Sequence, residues 1–285
     1  MEAMQSLKFT LYRIQIFLPI QLPLYVEQKN PTDILRLAFS EKPTKHGNSI
    51  SWHVGNIFKI GHDALYFAIG KKLSKRDGNL DESGDFHSEV RDVAPYTHAI
   101  LDLKYQVVAI AHSPELAQSS NSVAGKLSSL LQGTESVSEQ SGEVSIKVIN
   151  DPTEFLSAIN DAYAVIRLQV SYGYPNVWDV EEDFQKPFQL TARELGSDES
   201  SAVFSSKSDL ERKPLEKLVR AAAAIGKKVK ASIKKHEGQR AISMSLNNNP
   251  AKISTEVPAS SQDMRWALDT IDLVRSTYED IRDRE

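Results

Sequence analysis

Between Lys217 and Lys235 the chain carries seven cations, Lys217, Arg220, Lys227, Lys228, Lys230, Lys234 and Lys235, and no carboxylate. Side chains of this type at this density can neutralise several phosphates of a polyanion. The wider window 207–240 holds eleven Lys/Arg against four acids (Asp209, Glu211, Glu216, Glu237), a local charge of +7 in a 285-residue chain of formal charge −4. The rest of the sequence therefore carries about −11. A basic segment on an acidic body points to a local polyanion site rather than to charge spread for solubility. Lysine outnumbers arginine eight to three in that window, which suits diffuse phosphate attraction better than bidentate recognition of guanine.

An element must present these cations on one surface. On a helical wheel started at Lys217, the apolar residues Leu215, Leu218, Ala222, Ile225, Val229 and Ile233 fall within roughly 80–160°, and the cations fall on the opposite side. The pattern predicts one amphipathic helix over 214–235, with Pro214 in the tolerant first turn and Ala221–Ala224 favouring helix. Gly226 is its weak point, where the segment could break in two. A second basic cluster, Lys71, Lys72, Lys75 and Arg76, closes an expected hairpin and offers another phosphate contact if the two clusters face each other.

Composition bounds what else is available. The chain has no cysteine, which excludes disulfides, thiolate metal sites and cysteine nucleophiles and fits a reducing cytoplasm. The apolar run Phe9–Leu24 contains Arg13, Gln15, Gln21 and two prolines, too polar for a signal-peptide core or a membrane span. No cofactor motif is present: no serine sits in a nucleophile elbow and no glycine run has phosphate-loop spacing.

The first half reads as strands. Leu7–Leu18 is β-rich, Thr32–Ser40 is a short helix capped by Thr32 or Asp33, and Trp52–Ile60 with Ala64–Ile69 forms a hairpin around Gly61-His62-Asp63. A polar loop is expected over 76–94, then a hairpin Thr97–Asp102/Tyr105–Ala111, a helix Pro114–Leu131 and a serine-rich linker over 132–142. The second half predicts a strand Val144–Ile149, a helix from Pro152, a strand Ala164–Tyr172, a helix around Val180–Glu194, a hairpin Ala241–Leu246/Lys252–Val257 and a closing helix over 261–283. The expected class is α+β in two domains, 1–133 with an antiparallel sheet and 143–285 with the basic helix.

The stretch His53-Val54-Gly55-Asn56-Ile57-Phe58-Lys59-Ile60, followed by Leu65–Ile69 and the cations Lys71, Lys72, Lys75 and Arg76, resembles the early hairpin of RexA-like phage-exclusion proteins. The hairpin His98–Ala111, the strand Val165–Tyr172 with its proline turn and the closing helix rich in Ala, Met and Tyr occur in a similar order. The resemblance spans most of the chain as a pattern. It implies a dimeric protein that binds double-stranded DNA without reading sequence and acts in phage defence, as does the DNA-binding subunit of the Kiwa system. RNA as a competing ligand and a membrane-protein or effector partner encoded alongside come with that expectation. No catalytic residues do.

Two other classes compete. Asp102-Leu103-Lys104 at a strand end, with Asp92 or Glu89 upstream, matches in outline the acid plus acid-x-lysine layout of metal-dependent nucleases. In the third class the basic face meets an acidic protein surface and no nucleic acid is bound. His53, His62, His87, His98 and His112 have no i,i+4 pairing and read as structural or surface residues.

Overall fold

The computed structural model describes residues 4–19, 29–80, 83–173, 199–246, 249–258 and 265–282. Its spine is β1 (Met4–Phe17), a strand apolar on both sides. Phe9 and Leu11 enter one core, and Tyr12, Ile14 and Ile16 enter the other. A strand hydrophobic on both faces must lie inside a covered sheet.

Among the described residues that sheet is antiparallel and nine-stranded. From one edge it runs β2 (Thr44–His46), β3 (Ile50–Ile60), β4 (Ala64–Leu80), β6 (Tyr96–Asp102), β7 (Val107–Ala111) and β1. Along the far edge of β1, Tyr12–Phe17 pair with β8 (Glu143–Val148) and Met4–Thr10 with β13 (Lys252–Pro258). The remaining described strand, β5 (Phe86–Val93), pairs among the described residues only with the outer half of β4.

One face of the sheet is covered by α1 (Pro31–Ser40), α2 (Ser120–Gln132) and α3 (Glu135–Glu139) around Phe39, Phe67, Leu101, Ile110 and Leu127. The other face is covered by α6 (Arg265–Arg282), and α4 (Thr153–Asn160) and α5 (Arg212–Ala224) belong to the same core. Helix α5 also touches a second antiparallel sheet, ordered β10 (Glu199–Ser205), β9 (Ala164–Gly173), β11 (Val229–Lys234), β12 (Ile242–Ser245). The class is α+β, as the sequence predicts.

Several expectations are corrected. The boundary drawn between 133 and 143 does not separate the sheets, because β8 and β13 from the second half complete the sheet of the first. The serine-rich stretch after 132 holds α3, with Thr134, Ser136 and Gln140 buried, rather than a linker. Within the expected loop 76–94, β4 runs on to Leu80 and Phe86–Val93 form β5. The segments Ala241–Leu246 and Lys252–Val257 do not pair with each other: β12 joins the small sheet and β13 the large one. Helix α1 is capped by Asn30, whose side chain accepts from the Thr32 N–H at 2.9 Å. Helix α2 starts later than Pro114, at a Ser119 cap that accepts from the Ser122 N–H. The helix expected around Val180–Glu194 lies outside the described residues.

Candidate nucleic-acid interface

The basic segment is a helix and a strand, not one helix. Leu215, Leu218, Val219 and Ala222 bury one side of α5, at the spacing the wheel anticipates. The helix then stops at Gly226. The Lys227 N–H donates to Ala222 O at 2.8 Å and the Gly226 N–H to Ala223 O at 3.1 Å, with Gly226 left-handed at φ +68°. This pair of bonds is a Schellman ending, in which the last carbonyls are satisfied by a residue that must turn left-handed. A Cβ at Gly226 would also sit 2.7 Å from Val148 O, so only glycine fits.

Beyond the turn the chain enters β11. Val229, Ala231 and Ile233 are buried, and Lys230, Ser232 and Lys234 alternate with them on the outside. Val229 and Ile233 are four apart, so they satisfy a helical stripe as well as a strand. Ala231 decides between them: it is buried in the sheet, whereas on the wheel it falls away from the stripe.

The open face of the small sheet is therefore a different surface from the expected helical one. Register places Lys230 beside Gln169 and Ser245, and Ser232 beside Arg167 and Ser243. Ser205, Val203 and Ser201 continue the same face opposite Arg167, Gln169 and Ser171. From Arg167 to Ser171 and from Ser201 to Ser205 this face carries one base, five polar or apolar neutral residues and no acid. Lys228 and Lys235 are exposed at the two ends of β11. Among the described residues, Arg167, Lys228, Lys230, Lys234 and Lys235 form no ion pair. Arg167 was not among the residues the basic window draws attention to. Its signal is the alternation Arg167-Leu168-Gln169-Val170-Ser171, an apolar side buried and a polar side turned outward.

Arg220 is withdrawn from the phosphate set. It is only 8 % exposed, and its guanidinium donates to Glu216 at 2.7 and 3.0 Å and to Asp280 O at 3.3 Å. Arg212 likewise ties Asp209 (2.7 Å) and Ala162 O (3.0 Å). Both arginines of the helix fasten α5 to its neighbours through planar donor sets. Lys213 and Lys217 stay exposed on α5. They do not share the face of Lys230, because α5 packs on the covered side of β9 and β11.

The early cluster is committed to local partners. The Lys71 ammonium donates to Leu116 O at 2.6 Å, Lys72 pairs with Asp92 at 3.1 Å and Lys75 with Asp77 at 2.9 Å. Arg76 is exposed on the same strand.

The metal-nuclease layout does not assemble. Asp102 is fully buried, bound to Arg275 Nε at 2.5 Å and accepting from the Tyr105 N–H at 2.6 Å. Lys104 turns outward over the Tyr105 ring, and Glu89 and Asp92 lie on exposed β5. No group of three metal-ligating side chains occurs among the described residues. The burial of Asp102 raises an electrostatic demand that Arg275 meets: although desolvation opposes its charge, the Asp102 carboxylate holds the guanidinium pKa above its ordinary value.

His98 also has a structural place. It shares a 2.8 Å hydrogen bond with the Tyr66 hydroxyl and lies edge-on to Trp266, and burial pushes its pKa below the usual histidine value. The same burial drives Tyr66 up to about 12. Among the described residues, no helix is long and apolar enough to cross a membrane. No protein-family model matches the chain, and no match is found among curated proteins.

Proposed function

We propose that this protein binds double-stranded nucleic acid by its phosphates, without reading sequence, on the open face of the β10-β9-β11-β12 sheet. The observation that carries this is the union of unpaired cations with hydroxyl and amide groups on a face free of acid over its described centre. Lysine and arginine supply the counter-charge, and serine and glutamine are ordinary donors to phosphate oxygens. Lys230 and Lys234 are four residues apart on one strand, roughly 13 Å. A duplex presents about eight charges over that length of its axis. Lys228 and Lys235 are exposed just beyond the two ends of that strand.

The acidic remainder of the chain would confine a polyanion to this strip. Little on it suits base readout: there is one arginine, Arg167, and no exposed aromatic ring among its described residues. The cellular role we attach to this binding is exclusion of phage, supported by the RexA-like order of the hairpins and the closing helix.

The test is binding of labelled duplexes of unrelated sequence by the wild type, by Arg167→Ser/Lys230→Ser/Lys234→Ser, and by Lys213→Ser/Lys217→Ser on α5. The proposal expects equal affinity across sequences, loss of at least about tenfold in the sheet variant, and a smaller loss in the helix variant. Absence of duplex binding by the wild type at low salt, or equal losses in both variants, would overturn it. Competition by duplex RNA distinguishes DNA preference from general recognition of phosphates.

A further inference from the structure

The outer half of β4 and the whole of β5 form a two-stranded ribbon beyond the body of the large sheet. Strand β3 ends its pairing with β4 at Leu73, and among the described residues β5 pairs with β4 alone and leaves its second edge open. Every residue of β5 except Val93 is exposed, including Phe86 (85 %) and Val90 (61 %). A long open edge bearing apolar side chains is a template for another strand, and a two-stranded ribbon alone is marginal in water.

Its charges are arranged in an unusual way. Within the ribbon Lys75 stands directly opposite Arg91, and Asp77 directly opposite Glu89. Like charges placed opposite each other weaken a strand pair. The relief inside one chain runs along the strands, from Lys75 to Asp77 at 2.9 Å and from Arg91 to Glu89 at 2.5 Å. A polyanion would not relieve it, because residues 72–92 hold four bases and six acids. A second copy would.

We infer that β5 pairs antiparallel with β5 of a second copy about a two-fold axis at Val90, joining the large sheets of two chains. In that register Glu89 lies opposite the partner's Arg91, and Arg91 opposite the partner's Glu89. The rows across the four strands become Lys75, Arg91, the partner's Glu89, the partner's Asp77, and the same in reverse. Two bases then face two acids in each row. On the other side of the ribbon Val90 meets the partner's Val90, so the exposed valines cover each other. The interface is isologous and closes as a dimer. It is small, one strand from each chain, so its affinity is expected in the micromolar range.

Sedimentation of the full chain from about 1 to about 100 µM tests this, bracketing that range. The wild type should pass from monomer to dimer. Glu89→Arg makes both flanking residues basic and Arg91→Glu makes both acidic, so each variant alone should lose dimerisation by at least about 30-fold. Mixed in equal amounts, the two should form a heterodimer, and the double exchange Glu89→Arg/Arg91→Glu should dimerise like the wild type. All altered side chains are exposed, and circular dichroism checks that each variant is folded. A wild type that stays monomeric, single variants that dimerise unchanged, or a mixture that stays monomeric would each overturn the inference.

Discussion

Replacing Gly226 by alanine separates two architectures of the basic segment by the sign of the effect. In a continuous helix over 214–235, Gly→Ala at an interior position would stabilise by about 1 kcal/mol. In the structure Gly226 has φ +68° and its missing Cβ would lie 2.7 Å from Val148 O and 2.8 Å from Lys147 Cβ. Holding alanine in the left-handed region costs about 1–2 kcal/mol. The approach to Val148 O adds an overpacking cost of about 1–3 kcal/mol, because the atom to be displaced belongs to the backbone of β8 and cannot swing aside. The expected loss is roughly 3 kcal/mol, and at this chain length about 2–4 °C of Tm per kcal/mol gives a fall of order 6–12 °C. Urea and thermal unfolding followed by circular dichroism measure it. A Gly226→Ala protein as stable as the wild type, or more so, would refute the helix-turn-strand reasoning.

Two further predictions concern buried polar groups. Asp102→Ala leaves Arg275 and the Tyr105 N–H without their shared acceptor. Since Arg275 is partly solvated, the cost should fall near about 3 kcal/mol, while Lys104→Ala should stay within about 0.5 kcal/mol by the same unfolding assay. His98 gives a pH signature: with its folded pKa below that of the unfolded chain, the unfolded state binds more protons in the window below pH ~6.5. Stability should therefore fall as pH drops through that window, and His98→Phe should flatten the dependence. Unfolding midpoints across a pH series check this, and an unchanged slope in the variant would count against it.

How much of this was legible in the sequence depended on whether one periodicity stood alone. Strand β1 and the hairpins β3/β4 and β6/β7 were readable because both faces of their strands are apolar or their turns carry Gly61-His62-Asp63 and Leu103-Lys104. The segment Val229–Lys234 is ambiguous in the sequence because Val229 and Ile233 fit a period of 3.6 and a period of 2 equally, and the Val148 carbonyl whose approach admits only glycine at 226 lies far away in the chain. Strand β5 carries no alternation to read, since both of its faces are exposed along Phe86–Asp92. The site was half legible. Lys230 and Lys234 were named for their charge, but Arg167 joins them only through strand pairing between residues more than sixty positions apart, and Arg220 turned inward to a carboxylate four residues away.

The most direct test of the central claim is the salt dependence of duplex binding. If Arg167, Lys230 and Lys234 each neutralise a phosphate, the slope of log affinity against log salt should be shallower by roughly 2.7 in the triple serine variant than in the wild type. Removing Lys213 and Lys217 should change it little. A slope unaltered by the sheet substitutions would contradict the assignment of that face to phosphate contact.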